Sequence, residues 1–147
     1  MSATHTSSNA LKQHSLSGRF WWVGILTIIA AVIMNAIIVF AAHEAFTVAA
    51  TFTPLQFESV IPATAIAVTG ALIVFAFIVM RSQQPVRLFR RIAVAVLVVS
   101  IIPGLLLPVL NVFAGTALPE VGALLLIHVA TALLCIGIAP RLIETRP

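Results

Sequence analysis

The sequence predicts an all-α, polytopic membrane protein with four transmembrane helices in an up-down-up-down bundle. Of its 147 residues, 61% are hydrophobic and only 8% are charged, whereas a soluble domain carries about 25% charged residues on its hydrated surface. Four long uncharged runs are separated by short segments that hold the charges. These runs lack the alternation of barrel strands, so only helices satisfy their backbone groups in lipid.

The four runs place the predicted spans at residues 20–42, 59–80, 92–113 and 120–140. Each is close to the roughly 20 apolar residues that a helix needs to cross about 30 Å of hydrocarbon. The first run is longer than the apolar core of a signal peptide, so it is predicted to be retained. The sequence thus divides into a disordered polar tail, a transmembrane domain and a second short tail, at residues 1–18, 19–141 and 142–147.

The distribution of basic residues predicts the orientation. All eight precede span 1, follow span 4 or lie between spans 2 and 3, whereas the other two connections hold Glu44, Glu58 and Glu120 instead. Basic residues stay on the cytoplasmic side during insertion, so both termini are predicted to be cytoplasmic, in a bacterial inner membrane. The net charge of +4 is explained by this topology. No basic soluble module that could bind nucleic acid is present.

Two helix starts have recognisable local patterns. In "TFTPLQFES", Thr53 and Gln56 have the spacing of a capping box and Pro54 suits a first helical position. Helix 2 is therefore expected to begin there. Pro119 suits the first turn of helix 4, where Glu120 would lie near the positive end of the helix dipole.

Small and weakly polar residues at helical spacing predict the faces along which the helices pack, because close approach in lipid depends on such residues. The predicted packing residues are Gly24, Thr27, Ala31 and Asn35 on helix 1, Ala63, Ala67, Gly70 and Ala71 on helix 2, Ser100, Gly104, Pro108 and Asn111 on helix 3, and His128, Thr131 and Cys135 on helix 4. In helix 3, Pro103 and Pro108 flank Gly104 and predict a kink, since each proline removes a backbone hydrogen bond. A static kink is favoured over a hinge.

His128 interrupts the apolar run "GALLLIHVATALLCIG" of the last span. One interpretation is a hydrogen bond to a neighbouring helix, with Asn35, Thr69 or Ser100 as the partner. The other is a functional group, because buried ionisable residues in membranes are functional candidates. The first is favoured, and Asn111 joins these residues as a further candidate polar position.

The sequence lacks the residues that most of the specific membrane chemistries require. No carboxylate lies inside a span, since Glu120 stands at the outer end of the last one, the only lysine is Lys12, and Cys135 is the only cysteine. These absences argue against an antiporter carboxylate, a retinal Schiff base and a thiol pair, and no metal or cofactor site is predicted. An enzyme using His128 as a base is the weakest hypothesis, because nothing completes a catalytic set.

The segment "RSQQPVRLFRR" between spans 2 and 3 carries half of the basic residues, namely Arg81, Arg87, Arg90 and Arg91. These arginines are candidates for contacts with anionic lipid headgroups. The alternative that they act only as a topology signal is favoured at this point.

Three stretches resemble an uncharacterised family of small bacterial four-helix membrane proteins. They are "TFTPLQFESVIPAT", "QQPVRLFRRIAVAVLVVSIIPG" and "LLLIHVATAL", and the resemblance covers about residues 19–140. It implies the same architecture and directs attention to Pro54, Pro85, Phe89 and His128. It implies no activity.

The leading hypothesis is therefore an integral inner-membrane protein of unknown role, without enzymatic activity, that acts through helix–helix or lipid contacts. The second is a small homo-oligomeric carrier or channel with a weakly polar path past His128. Oligomeric state would separate them, because four helices leave little room for an aqueous path in a monomer.

Overall fold

The computed structural model describes residues 4–48, 50–110 and 117–138, with side chains from residue 21 onward. This part of the chain is all-helical: α1 (Thr4–Ala45), a 3-10 turn (Thr53–Leu55), α2 (Phe57–Arg81), α3 (Pro85–Leu110) and α4 (Leu118–Ile138). Four segments are long and apolar enough to cross a membrane, namely Trp21–Ala45, Phe57–Arg81, Pro85–Leu110 and Leu118–Ile138. The predicted fold class, an all-α membrane protein with four spans, is confirmed.

Two helix boundaries differ clearly from the prediction. The sequence predicts a disordered tail up to residue 18, whereas helix α1 continues back to Thr4. This segment contains no proline that would end the helix before the first span. Helix α3 begins at Pro85 rather than at residue 92, because its arginines are compatible with a helix although they do not belong in hydrocarbon. Residues 111–113, 139–140 and the tail 142–147 lie outside the described residues.

The helices pack in a ring, with α1 against α2, α2 against α3, α3 against α4, and α4 against α1. The packing face predicted for α1 is confirmed, since Gly24, Thr27, Ala31 and Asn35 are all buried. This face continues one and two turns further along the helix through Val39 and Ala42.

The packing face predicted for α2 is wrong. Ala63, Ala67 and Gly70 are exposed and Ala71 is half-buried, whereas the buried residues of this helix are Val60, Thr64, Val68, Phe75 and Ile78. Interior partners set the rotation of α2: Thr64 hydrogen-bonds to Asn35, and Phe75 packs against Phe89. The small residues are consequently turned outward.

The faces predicted for α3 and α4 are confirmed in part. Gly104 is buried while Ser100 and Pro108 are half-buried, and Asn111 lies outside the described residues. On α4, His128, Thr131 and Cys135 are half-buried, and the fully buried positions are Glu120, Val121, Ala123 and Ile127. Both Pro103 and Pro108 lie inside α3, which remains helical through them.

The connection between α1 and α2 folds back onto the bundle. Phe52 and Leu55 are completely buried and form a cluster with Val39, Ala42, Val60, Ala123 and Ile127, here called the loop cluster. The predicted capping box at Thr53 is wrong, because neither the 3-10 turn nor α2 has a side-chain capping hydrogen bond at its start. The buried apolar side chains of this segment hold it against the bundle.

A second cluster joins α2 to α3 near the turn between them. Phe75, Ile78 and Phe89 are buried together, with Cys135 packed against them, and are called here the turn cluster. The Phe75 and Phe89 rings meet edge to face, with centroids 5.0 Å apart. This arrangement is favourable for aromatic pairs.

Glu120 lies at the start of α4, as the sequence suggested, and there it makes a hydrogen bond that the sequence did not predict. It lies in the first turn of the helix, and its Oε2 accepts a hydrogen bond from the backbone N–H of Ala117 at 3.1 Å. This is the acidic half of a capping box, in which a residue at the third helical position satisfies the N–H of the capping residue.

A matched pair of glycine substitutions tests the packing. A Cβ at Gly104 would lie 3.2 Å from Leu125 Cδ2, whereas a Cβ at Gly70 would meet nothing within 4 Å. We expect Gly104→Leu to destabilise the protein by about 1–3 kcal/mol through overpacking and Gly70→Leu to have a much smaller effect. Thermal unfolding in detergent measures both, and equal losses would show that the α2 face is misassigned.

Candidate functional site

Asn35 is the centre of a polar contact among three helices. Its side chain is only 1% exposed, and its Nδ2 donates to Thr64 Oγ1 on α2 at 2.9 Å and to Thr131 Oγ1 on α4 at 2.8 Å. We call Asn35, Thr64 and Thr131 the polar node. Because lipid offers no competing hydrogen bonds, the node specifies how α1, α2 and α4 face one another.

The polar node lies directly beneath the loop cluster. Val39, Val60 and Ile127 belong to that cluster, and each is four residues, or about one helical turn, from Asn35, Thr64 and Thr131 respectively. Asn35 Oδ1 has no hydrogen-bond partner among the described residues. An apolar layer closed by Phe52 and Leu55 therefore separates the node from that end of the bundle.

The predicted interhelical hydrogen bond of His128 is not formed within the part of the chain that is described. Its Nδ1 lies 2.7 Å from the carbonyl oxygen of Leu124, one turn earlier in its own helix. A carbonyl can only accept, so Nδ1 carries the proton of this hydrogen bond. The Nδ1–H of the imidazole is therefore used within its own helix rather than on another helix.

Two other predicted polar residues behave in the same way. The hydroxyl of Thr69 donates to the carbonyl of Ala65 at 2.7 Å, and that of Ser100 donates to the carbonyl of Leu97 at 2.9 Å. Such bonds to the preceding turn are a standard alternative for hydroxyl side chains within helices. Of the four candidates Asn35, Thr69, Ser100 and His128, only Asn35 makes a hydrogen bond to another helix, and its partner Thr131 was also among the predicted packing residues. Asn111 lies outside the described residues.

Thr64 is the residue that sequence reasoning missed. It is 5% exposed and interrupts the apolar sequence of span 2, and this signal could have identified it as a partner for Asn35. The choice between Thr64 and Thr69 depends on the rotation of α2, which the sequence does not reveal.

No catalytic or metal-binding set accompanies these residues in the described ranges. No three His, Cys, Asp or Glu side chains lie close enough there to hold a metal ion. The polar node contains one amide and two hydroxyls, none of which titrates near neutral pH.

A second candidate site lies at the turn between α2 and α3. Residues 81–91, called here the basic turn, surround an open cleft of about 330 Å³ lined by Ser82, Gln83, Gln84, Arg87, Leu88 and Arg91. The backbone N–H of Gln84 donates to Ser82 Oγ at 3.2 Å and helps to shape the turn.

The four predicted headgroup-binding arginines are not equivalent. All four are exposed, but only Arg87 and Arg91 line the cleft. The guanidinium carbon of Arg81 lies 5.4 Å from the centre of the Phe77 ring, in a cation–π contact. Arg90 does not line the cleft. The structure therefore separates two arginines that share one concave surface from two that do not.

A double-mutant cycle tests the polar node. We expect Asn35→Ala and Thr131→Val to show a coupling free energy of about 0.6 kcal/mol, the average for a hydrogen bond between membrane helices, and at most about 1.7 kcal/mol. The same cycle with Asn35→Ala and Ser100→Ala should give a coupling near zero, because Ser100 bonds to its own helix. Unfolding free energies in detergent supply both values, and similar coupling in the two cycles would contradict the assignment.

Comparison with known proteins identifies one family. No curated protein and no solved structure matches the chain significantly. One family model, described as a family of unknown function (DUF6069), matches residues 16–144. This match includes all four helical spans, the polar node and the basic turn. The chain therefore belongs to the family of unknown function DUF6069.

Proposed function

We propose that the protein is a non-enzymatic integral membrane protein that binds anionic phospholipid through the basic turn. The observation that carries this proposal is the charge of one end of the bundle. Arg81, Arg87, Arg90 and Arg91 are all exposed there, and residues 81–91 contain no acidic side chain. Each arginine near an anionic membrane surface contributes about 1 kcal/mol of attraction.

The position of the arginines relative to the hydrocarbon also supports lipid contact. Arg81 ends α2 and Arg87 lies in the first turn of α3, so these cations lie at the adjoining ends of two spans, where we expect the headgroups to be. Leu88, which is 40% exposed, provides an apolar surface between them. A turn that combines exposed cations with an exposed leucine suits the boundary between headgroups and acyl chains.

The carrier hypothesis has weaker support. Asn35 bonds to Thr64 and Thr131, whereas His128 and Ser100 bond within their own helices, so these residues do not form one connected polar chain. Phe52 and Leu55 also fill one end of the bundle. A catalytic role for His128 has no supporting partner among the described contacts.

The proposal includes an orientation, in which the basic turn and both termini face the cytoplasm of a bacterial cell. In a Cys135→Ala background, we expect Thr47→Cys to react with a membrane-impermeant maleimide added to intact bacteria. Gln84→Cys should react only after the membrane is permeabilised. Both residues are exposed, so burial does not explain a difference, and labelling of residue 84 from outside would reverse the orientation.

Lipid dependence tests the proposed function. We expect a higher thermal unfolding temperature in nanodiscs that contain phosphatidylglycerol than in nanodiscs of phosphatidylcholine alone, because the arginines attract the anionic headgroups. The difference should shrink with added salt, which screens exposed charges. It should also shrink in a variant with all four arginines of the basic turn changed to glutamine. An identical unfolding temperature in both lipids would refute the proposal.

A further inference from the structure

We propose that the cleft of the basic turn is a localised binding site for one phosphate ester, held between Arg87 and Arg91 and supplied by an anionic phospholipid headgroup. This inference rests on the proposed function and goes further, because general attraction to a charged membrane requires no particular arginine. It distinguishes the two arginines that line the cleft from Arg90, which does not.

The spacing of Arg87 and Arg91 makes them suitable partners for a single anion. Both belong to α3 and are four residues apart, so their side chains emerge from the same face on successive turns. A guanidinium presents a planar fork of N–H donors that matches phosphate oxygens in pairs. Two such forks at one cleft can bind one phosphate group from two sides.

The remaining cleft residues complete the chemistry. Gln83 and Gln84 have amide N–H groups that can donate to ester or phosphate oxygens. Among the described residues that line the cleft, none is a carboxylate that would repel an anion. The volume of about 330 Å³ lies at the lower end of the range of about 300–1,000 Å³ for small-molecule sites. It therefore accommodates a headgroup-sized ligand.

Leu88 indicates that the phosphate comes from a lipid rather than from solution. It lines the same cleft as the two arginines, and 40% of its surface is exposed. Free phosphate would leave Leu88 in contact with water. The glycerol and upper acyl region of a phospholipid would cover it while the phosphate meets the guanidinium groups.

The other two arginines do not belong to the proposed site, and one of them provides the control. Arg81 lies over the Phe77 ring. Arg90 is charged and exposed like Arg87 and Arg91, but it does not line the cleft. A glutamine at position 90 therefore changes the net charge as much as a glutamine at position 87 or 91. Only the latter two changes remove a ligand of the proposed site.

The experiment measures binding of short-chain phosphatidylglycerol to the full chain in neutral detergent, by titration with fluorescence or native mass spectrometry. We expect Arg87→Gln and Arg91→Gln each to weaken the affinity about tenfold, because each removes a charge-assisted hydrogen bond to the phosphate, and Arg90→Gln to leave it nearly unchanged. Equal loss in all three variants would overturn the localised site while leaving anionic-lipid binding intact. Absence of phosphatidylglycerol binding by the unmodified protein would overturn both proposals.

Further arms identify the source of the phosphate. Short-chain phosphatidylcholine has a phosphate with a compensating cation and should bind more weakly, and inorganic phosphate should not displace phosphatidylglycerol at comparable concentration. Equally tight binding of inorganic phosphate would overturn the assignment to lipid. Thermal unfolding of each variant without anionic lipid checks the fold, and unchanged unfolding temperatures would support the conclusion that reduced affinity reflects lost contacts.

Discussion

The hydrogen bonds of the Asn35 amide are the constraint on which the arrangement of α1, α2 and α4 depends. Apolar side chains gain little by leaving lipid for the interior of a helical bundle, so apolar burial alone does not select one helix face over another. A buried amide does select one helix face, because its hydrogen-bond partners must lie inside the protein. By donating to Thr64 and Thr131, Asn35 determines the rotation of α2 and α4 relative to α1.

The consequences extend along each helix. Once Thr64 faces Asn35, Val60 and Val68 on the same side of α2 become buried, as does Phe75 further along. Val60 then meets the loop cluster at one end, and Phe75 meets Phe89 of the turn cluster at the other. The polar node therefore lies between two apolar clusters that fix the ends of the bundle, while Ala63, Ala67 and Gly70 are left facing outward.

The two ends of the bundle differ in a way that bears on function. One is closed by Phe52 and Leu55, which return from the connection between α1 and α2 and are completely buried. The other carries the exposed arginines and the cleft of the basic turn. Because the exposed arginines lie at this second end, we place the proposed interaction with anionic lipid there rather than in the bundle interior.

The sequence alone determined the membrane class, the number of spans and the inward face of α1, because apolar length and helical spacing depend on local sequence. It also identified the arginines and Asn35 as the residues to consider. Only the tertiary structure decided which threonine meets Asn35, that His128 and Ser100 bond to their own helices, and which two arginines share a cleft. These outcomes depend on helix rotation. Rotation is set by contacts between residues distant in sequence, such as Asn35 and Thr131, and no local pattern records such contacts.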